Sequence, residues 1–125
     1  MEQFERWMKI AEREIQAAET LGQAGLYAEA CFWCQQSVEK ALKALLVSKN
    51  QEFTKTHSLI GLAKQAGVVN ELRDLISDLD TDYAATRYVV LNDSDDEDLY
   101  DRKRFDERFK AACIALELIR KWIKS

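Results

Sequence analysis

One histidine, His57, and three cysteines, Cys31, Cys34 and Cys113, are the side chains of this sequence best suited to proton transfer, metal binding or redox chemistry. Cys31-Phe32-Trp33-Cys34 has the Cys-x-x-Cys spacing of redox and zinc motifs. A redox pair of that spacing belongs at a helix N-terminus after a strand, and this pair lies well inside a helical pattern, on its apolar side. Zinc needs about four ligands; only Cys113 and His57 remain, with no paired spacing. The cysteines therefore read as buried structural thiols, with no metal and no cofactor. Asp93, Asp95 and Glu97 alternate like the opening of a calcium loop, but Asp98 stands where that loop needs glycine and Arg104 where it needs glutamate. They read as a solvated acidic segment that favours the N-terminus of the helix after it. GLYAEA and GLAKQAG lack the spacing of a glycine-rich phosphate loop.

Binding chemistry is better represented. At helical spacing, residues 26–48 place Tyr27, Ala30, Cys31, Cys34, Val38, Ala41, Leu42 and Leu45 on one stripe. Phe32, Gln36, Glu39, Lys40 and Lys43 fall on the opposite side, with Trp33 beside them. A mixed aromatic and polar surface of this kind suits a protein interface or a small-molecule site. Alternatively the helix is central in its own subunit, its aromatics pack on neighbours, and Glu39 with Lys43 is an i,i+4 pair worth ~0.2–0.5 kcal/mol. Tyr83 and Arg87 lie one turn apart at the edge of another apolar stripe. An arginine there needs an anionic partner, either Glu39 or a bound phosphate. Tyr88 points to another side and suits an interface. His57 stands at the start of a short helix. The candidates for ligand or partner binding are thus Gln36, Lys40, Lys43, His57, Tyr83, Arg87 and Tyr88, and no catalytic residue is assigned.

These positions sit on five helical segments. The first runs from about Glu2 to Leu21, with Phe4, Trp7, Met8, Ala11, Ile15 and Ala18 in register, and GQAG ends it. The second runs from about Leu26 to Ser48, and the third from about His57 to Ala66, with Thr56 or His57 at its start and Gly67 as its stop. The fourth starts near Asn70 as N-cap, with the stripe Leu72, Leu75, Ile76, Leu79, Tyr83 and Val90. The fifth runs from about Arg102 to Lys124, with Phe105, Phe109, Ala112, Leu116, Ile119 and Ile123 on one face. The chain holds no proline and four glycines, so breakers are scarce. Four long amphipathic helices and one short one bury their stripes side by side. The fold expected is all-α, an up-and-down four-helix-type bundle with an additional short helix, in a single domain over 1–125.

No apolar run approaches the ~18 residues of a membrane span, and the charged start MEQFERWMKIAERE has no signal-peptide core, so a cytoplasmic protein is expected. The net charge of −4 conceals a polarity along the chain. Residues 70–101 carry two basic and eleven acidic side chains, and residues 102–125 carry eight basic and three acidic. These segments are expected to neutralise each other within the fold or across a dimer. A broad basic surface for nucleic acid is lacking.

GLYAEACFWCQQSVEKALKALL at 25–46 resembles the signature helix of the HEPN domain (higher eukaryotes and prokaryotes nucleotide-binding). THSLIGL at 56–62 resembles the family's next helix, which opens with histidine, and DYAATRY at 82–88 its Tyr-x-x-x-Arg-Tyr element. The similarity spans nearly the whole chain in the right order. It departs at Val89, where the family often has proline. The resemblance implies a five-helix bundle that is commonly a homodimer. It also implies partnership with a separate minimal nucleotidyltransferase, often as a toxin–antitoxin pair, and nucleotide binding. Some relatives are ribonucleases carrying an arginine followed after four to six residues by a histidine; here the nearest arginine before His57 is Arg13, and no histidine follows Arg87, Arg102, Arg104 or Arg108. Since acid–base cleavage of RNA ordinarily draws on a histidine, a non-catalytic binding module is expected. The alternative is a ribonuclease toxin with an atypical site, RNA being held by Arg102, Lys103 and Arg104.

Overall fold

The computed structural model of the chain describes residues 1–92 and 99–125, with the backbone alone for 89–92. Helix α1 spans Gln3–Gln23, α2 Tyr27–Ser48, α3 Leu59–Ala66, α4 Val69–Asn92 and α5 Arg102–Lys124. No strand occurs among the described residues, so the all-α bundle expected from periodicity is the fold. Asp93, Asp95, Glu97 and Asp98, read above as a solvated segment, lie outside the described residues.

Local chemistry explains the boundaries. Helix α1 runs two residues beyond Leu21 and takes in Gly22; the chain then turns through Gly25 at φ 81°. Helix α3 begins at Leu59, not at His57. Ser58 is its N-cap and accepts from the Gly61 amide, while Asp80 of α4 accepts from the Leu59 amide at 2.6 Å and the Ile60 amide at 3.3 Å. Those first amides have no partner within the helix, so a distant carboxylate sets where α3 starts. Gly67, at φ 75°, ends it, and Lys49 Nζ donates to its terminal Ala66 carbonyl. Helix α4 starts one residue before Asn70, which is therefore in the first turn and not the cap. With Val89 in place of proline, every backbone amide is available and α4 continues to Asn92.

Helix α2 is the centre of the bundle. It packs on α1, α3, α4 and α5, and fourteen of its 22 residues are buried, including Gln35, Gln36, Ser37 and Glu39. Ser37 Oγ donates to the Ala11 carbonyl of α1 at 2.7 Å. The side of α2 expected to be open is thus largely covered by its own subunit. Helices α4 and α5 are joined by charge. Asp82, 1% exposed, accepts from Arg108 Nε at 2.8 Å and from the Tyr100 hydroxyl at 2.9 Å. Arg108 also lies 3.6 Å from Asp78. Burial pushes the Asp82 carboxyl up, against the Arg108 charge and the two hydrogen bonds, which pull it down. Here the acidic and basic stretches of the sequence do meet inside one chain.

Candidate functional site

The polar residues of α2 open onto one side of the bundle through His57. The network begins at α1, where Lys40 Nζ pairs with Glu14 at 3.2 Å and donates to Gln36 Oε1 at 3.1 Å. Gln36 Nε2 donates to Gln35 Oε1 at 2.7 Å, and Gln35 Nε2 donates to the His57 carbonyl at 2.9 Å. The two adjacent glutamines thereby tie the 49–58 connection to the helix. Glu39, 1% exposed, is held from two sides: Lys43 Nζ donates to Oε2 and His57 Nδ1 to Oε1, each at 3.0 Å. Lys43 also stands over the rings of Trp7 and Phe53, at 5.7 and 5.2 Å from their centroids. Those rings meet edge to face, and together they shield the Glu39–Lys43 pair from water. Burial pushes the Glu14 carboxyl up, opposed by the Lys40 charge.

An aromatic row runs alongside. The His57 ring stacks on Tyr83, with centroids 4.2 Å apart and planes 14° from parallel. Tyr83 contacts Phe32, and Phe32 contacts Trp33. Arg87 Nη1 donates to the Tyr83 hydroxyl at 2.8 Å, its guanidinium 5.3 Å from that ring. The His57 side chain is 54% exposed, and Arg87 is exposed. With Nδ1 bound to Glu39, the other ring nitrogen, Nε2, is the one available to solvent or a ligand.

Six of the seven candidate residues therefore share one connected cluster: Gln36, Lys40, Lys43, His57, Tyr83 and Arg87. Tyr88 follows Arg87 about 100° further round α4 and is exposed at 59%. Two open alternatives are decided. The Gln36 and Glu39 side chains are buried, because α1 and the 49–58 connection lie over them. Glu39 is not the partner of Arg87; Lys43 and His57 occupy it, and Arg87 turns to the tyrosine hydroxyl instead. The sequence reading missed Glu14, Gln35, Trp7 and Phe53. Lys40 and Glu14 are 26 positions apart, so no local spacing announces them.

The cluster offers an oriented imidazole, a ring face for stacking, and the exposed Arg87 for an anion. The cysteines stand apart from it. Cys31 and Cys34 are fully buried and Cys113 partly so; burial pushes the Cys31 thiol up to about 12 and Cys34 higher still. Among the described residues no group of three or more His, Cys, Asp or Glu side chains is placed to hold a metal ion, and no helix is long and apolar enough to cross a membrane.

The HEPN domain family model matches residues 4–123. The crystal structure of ST0689, an archaeal HEPN homologue, is 30% identical, with a TM-score of 0.82 over 98% of this chain and 99% of that one. The crystal structure of TT1696 from Thermus thermophilus is 27% identical, with a TM-score of 0.85 over 98% and 99%. None of the curated proteins compared matches the chain.

Proposed function

This chain belongs to the HEPN domain family, and on that footing we propose that it is a non-catalytic, homodimeric binding module that associates with a minimal nucleotidyltransferase and binds a nucleotide. The single observation that carries the ligand part is the His57–Tyr83 stack beside Arg87. The half-exposed imidazole, held by buried Glu39, presents an aromatic face to a base, and the exposed guanidinium presents a charge to phosphate. The order of the network supports a preformed site, since ordering the groups in advance lowers the entropic cost of binding. The partner and the toxin–antitoxin setting rest on the family resemblance. Co-expression with a nucleotidyltransferase encoded next to this chain tests the association, with co-purification expected. Calorimetric titration with ATP, of the chain alone and with that partner, tests the ligand. Binding lost in Arg87→Ala and His57→Ala is expected; no binding in either state overturns the nucleotide part. Light scattering after size exclusion tests the dimer, and a monomer at high concentration overturns it.

One observation favours a second reading, an atypical ribonuclease. Glu39 orients His57 as a carboxylate orients the imidazole of a general base. Arg102 and Lys103 are exposed on the first turn of α5 and Arg104 lies over Tyr100; among the described residues no hydrogen bond or ion pair joins them to His57. RNA cleavage by the purified chain, abolished by His57→Ala, would establish this reading in place of the first.

A further inference from the structure

A groove of about 410 Å³ opens between the first half of α1 and the last turns of α5, away from the His57 cluster. Its size falls in the range of ~300–1,000 Å³ typical of small-molecule sites. It exists because these two helices, first and last in the chain, meet more lightly than the other neighbouring pairs. Phe4 and Met8 of α1 and Ile123 of α5 supply its apolar lining; Met8 is buried and the other two are half-buried. Charge surrounds these three. Arg120 is already committed, its Nη2 donating to Glu12 Oε1 at 3.1 Å. Lys9 and Lys124 are exposed, and neither makes an ion pair among the described residues. Glu5 is the acid of the lining that stands outside such a pair. The lining thus holds three cations against two acids, a local positive excess on a chain of net charge −4.

We propose that this groove binds a small amphipathic carboxylate, its aliphatic body against Phe4, Met8 and Ile123 and its head met by Lys9 and Lys124. Charge complementarity selects the head: two unpaired lysines, Lys9 and Lys124, outnumber the one unpaired acid, Glu5, so a carboxylate is favoured over an ammonium. The apolar lining selects the body, since a head group alone buries no surface there. Arg120 stays with Glu12 and holds the two helices at the spacing that leaves the groove open.

Calorimetric titration of the full chain with octanoate, acetate and octylamine tests this. Saturable binding of octanoate at one site per chain is expected, with acetate and octylamine at least about tenfold weaker. Lys9→Gln with Lys124→Gln, both at exposed positions, is expected to weaken octanoate by about tenfold or more with only a small change in thermal stability. Phe4→Ala is expected to weaken it through the body alone, and His57→Ala and Arg87→Ala are expected to leave it unchanged. Absence of octanoate binding to folded protein overturns the proposal. So does equal binding of octylamine, which would mean unspecific apolar partition, or unchanged binding in the double lysine variant.

Discussion

Replacing Glu39 by leucine keeps the side chain's bulk while removing a carboxylate buried on α2. Three donors lose an acceptor: Lys43 Nζ and His57 Nδ1, each 3.0 Å away, and Gln36 Nε2 at 3.5 Å, which keeps its shorter bond to Gln35 Oε1. His57 is half exposed and water replaces its bond. Lys43 is the costly partner, because its side chain is 12% exposed. Breaking a buried ion pair by deleting one member costs about 3–5 kcal/mol. Two features place this case at the lower end. The four-carbon stem lets the ammonium reach toward water, and the Trp7 and Phe53 rings still attract it, by about 0.5–1 kcal/mol each. A loss of about 3 kcal/mol is expected. With a urea slope of about 1–3 kcal/mol/M for a domain this size, the midpoint falls by about 1–3 M. Adding Lys43→Met removes the stranded charge, and an apolar pair in place of a buried ionic one is often neutral. The double variant should therefore recover most of the loss. The assay is urea unfolding followed by far-UV circular dichroism at neutral pH for wild type, both single variants and the double. If the double variant is as unstable as the two single losses added together, the residues are not coupled and Lys43 does not hold Glu39 in place.

Asp80→Ala takes the acceptor from the Leu59 and Ile60 amides; a loss of about 1–2 kcal/mol is expected, with faster amide hydrogen exchange at residues 59 and 60. Gly22→Ala puts a methyl group into the Phe105 ring, which lies against the Gly22 backbone. The gain of about 1 kcal/mol in helix propensity is outweighed by an overpacking cost of about 1–3 kcal/mol, so a lower melting temperature is expected. Buried Cys31 and Cys34 should resist a thiol reagent until the protein unfolds, whereas the partly exposed Cys113 reacts first. The Cys31 thiol is raised from 9.0 to about 12, so the native state holds this proton more tightly than the unfolded chain. Its contribution is complete below 9.0 and is lost as pH rises toward 12, at up to about 1.4 kcal/mol per pH unit. Cys31→Ala should flatten the alkaline fall of the unfolding free energy.

Much of this architecture is legible in one dimension. Apolar residues recur at helical spacing, no proline interrupts them, and Gly25 and Gly67 stand at the turns, so the number and type of elements follow from local stereochemistry. Helix α5 begins and ends where its pattern does, at Arg102 and Lys124. Candidate residues on α2 and α4 are legible for the same reason: spacing alone tells which side chains share a face. What covers a face is decided elsewhere in the chain. Gln36 and Glu39 have the same spacing whether they meet water or another helix, and only the packing of α1 and of residues 49–58 over α2 buries them. The start of α3 depends on Asp80, about twenty positions later, and the tie between α4 and α5 on Asp82 meeting Arg108. A helix fixes its own neighbours three and four positions away; partners separated by a loop are set by which stripes pack together, which is a property of the whole bundle.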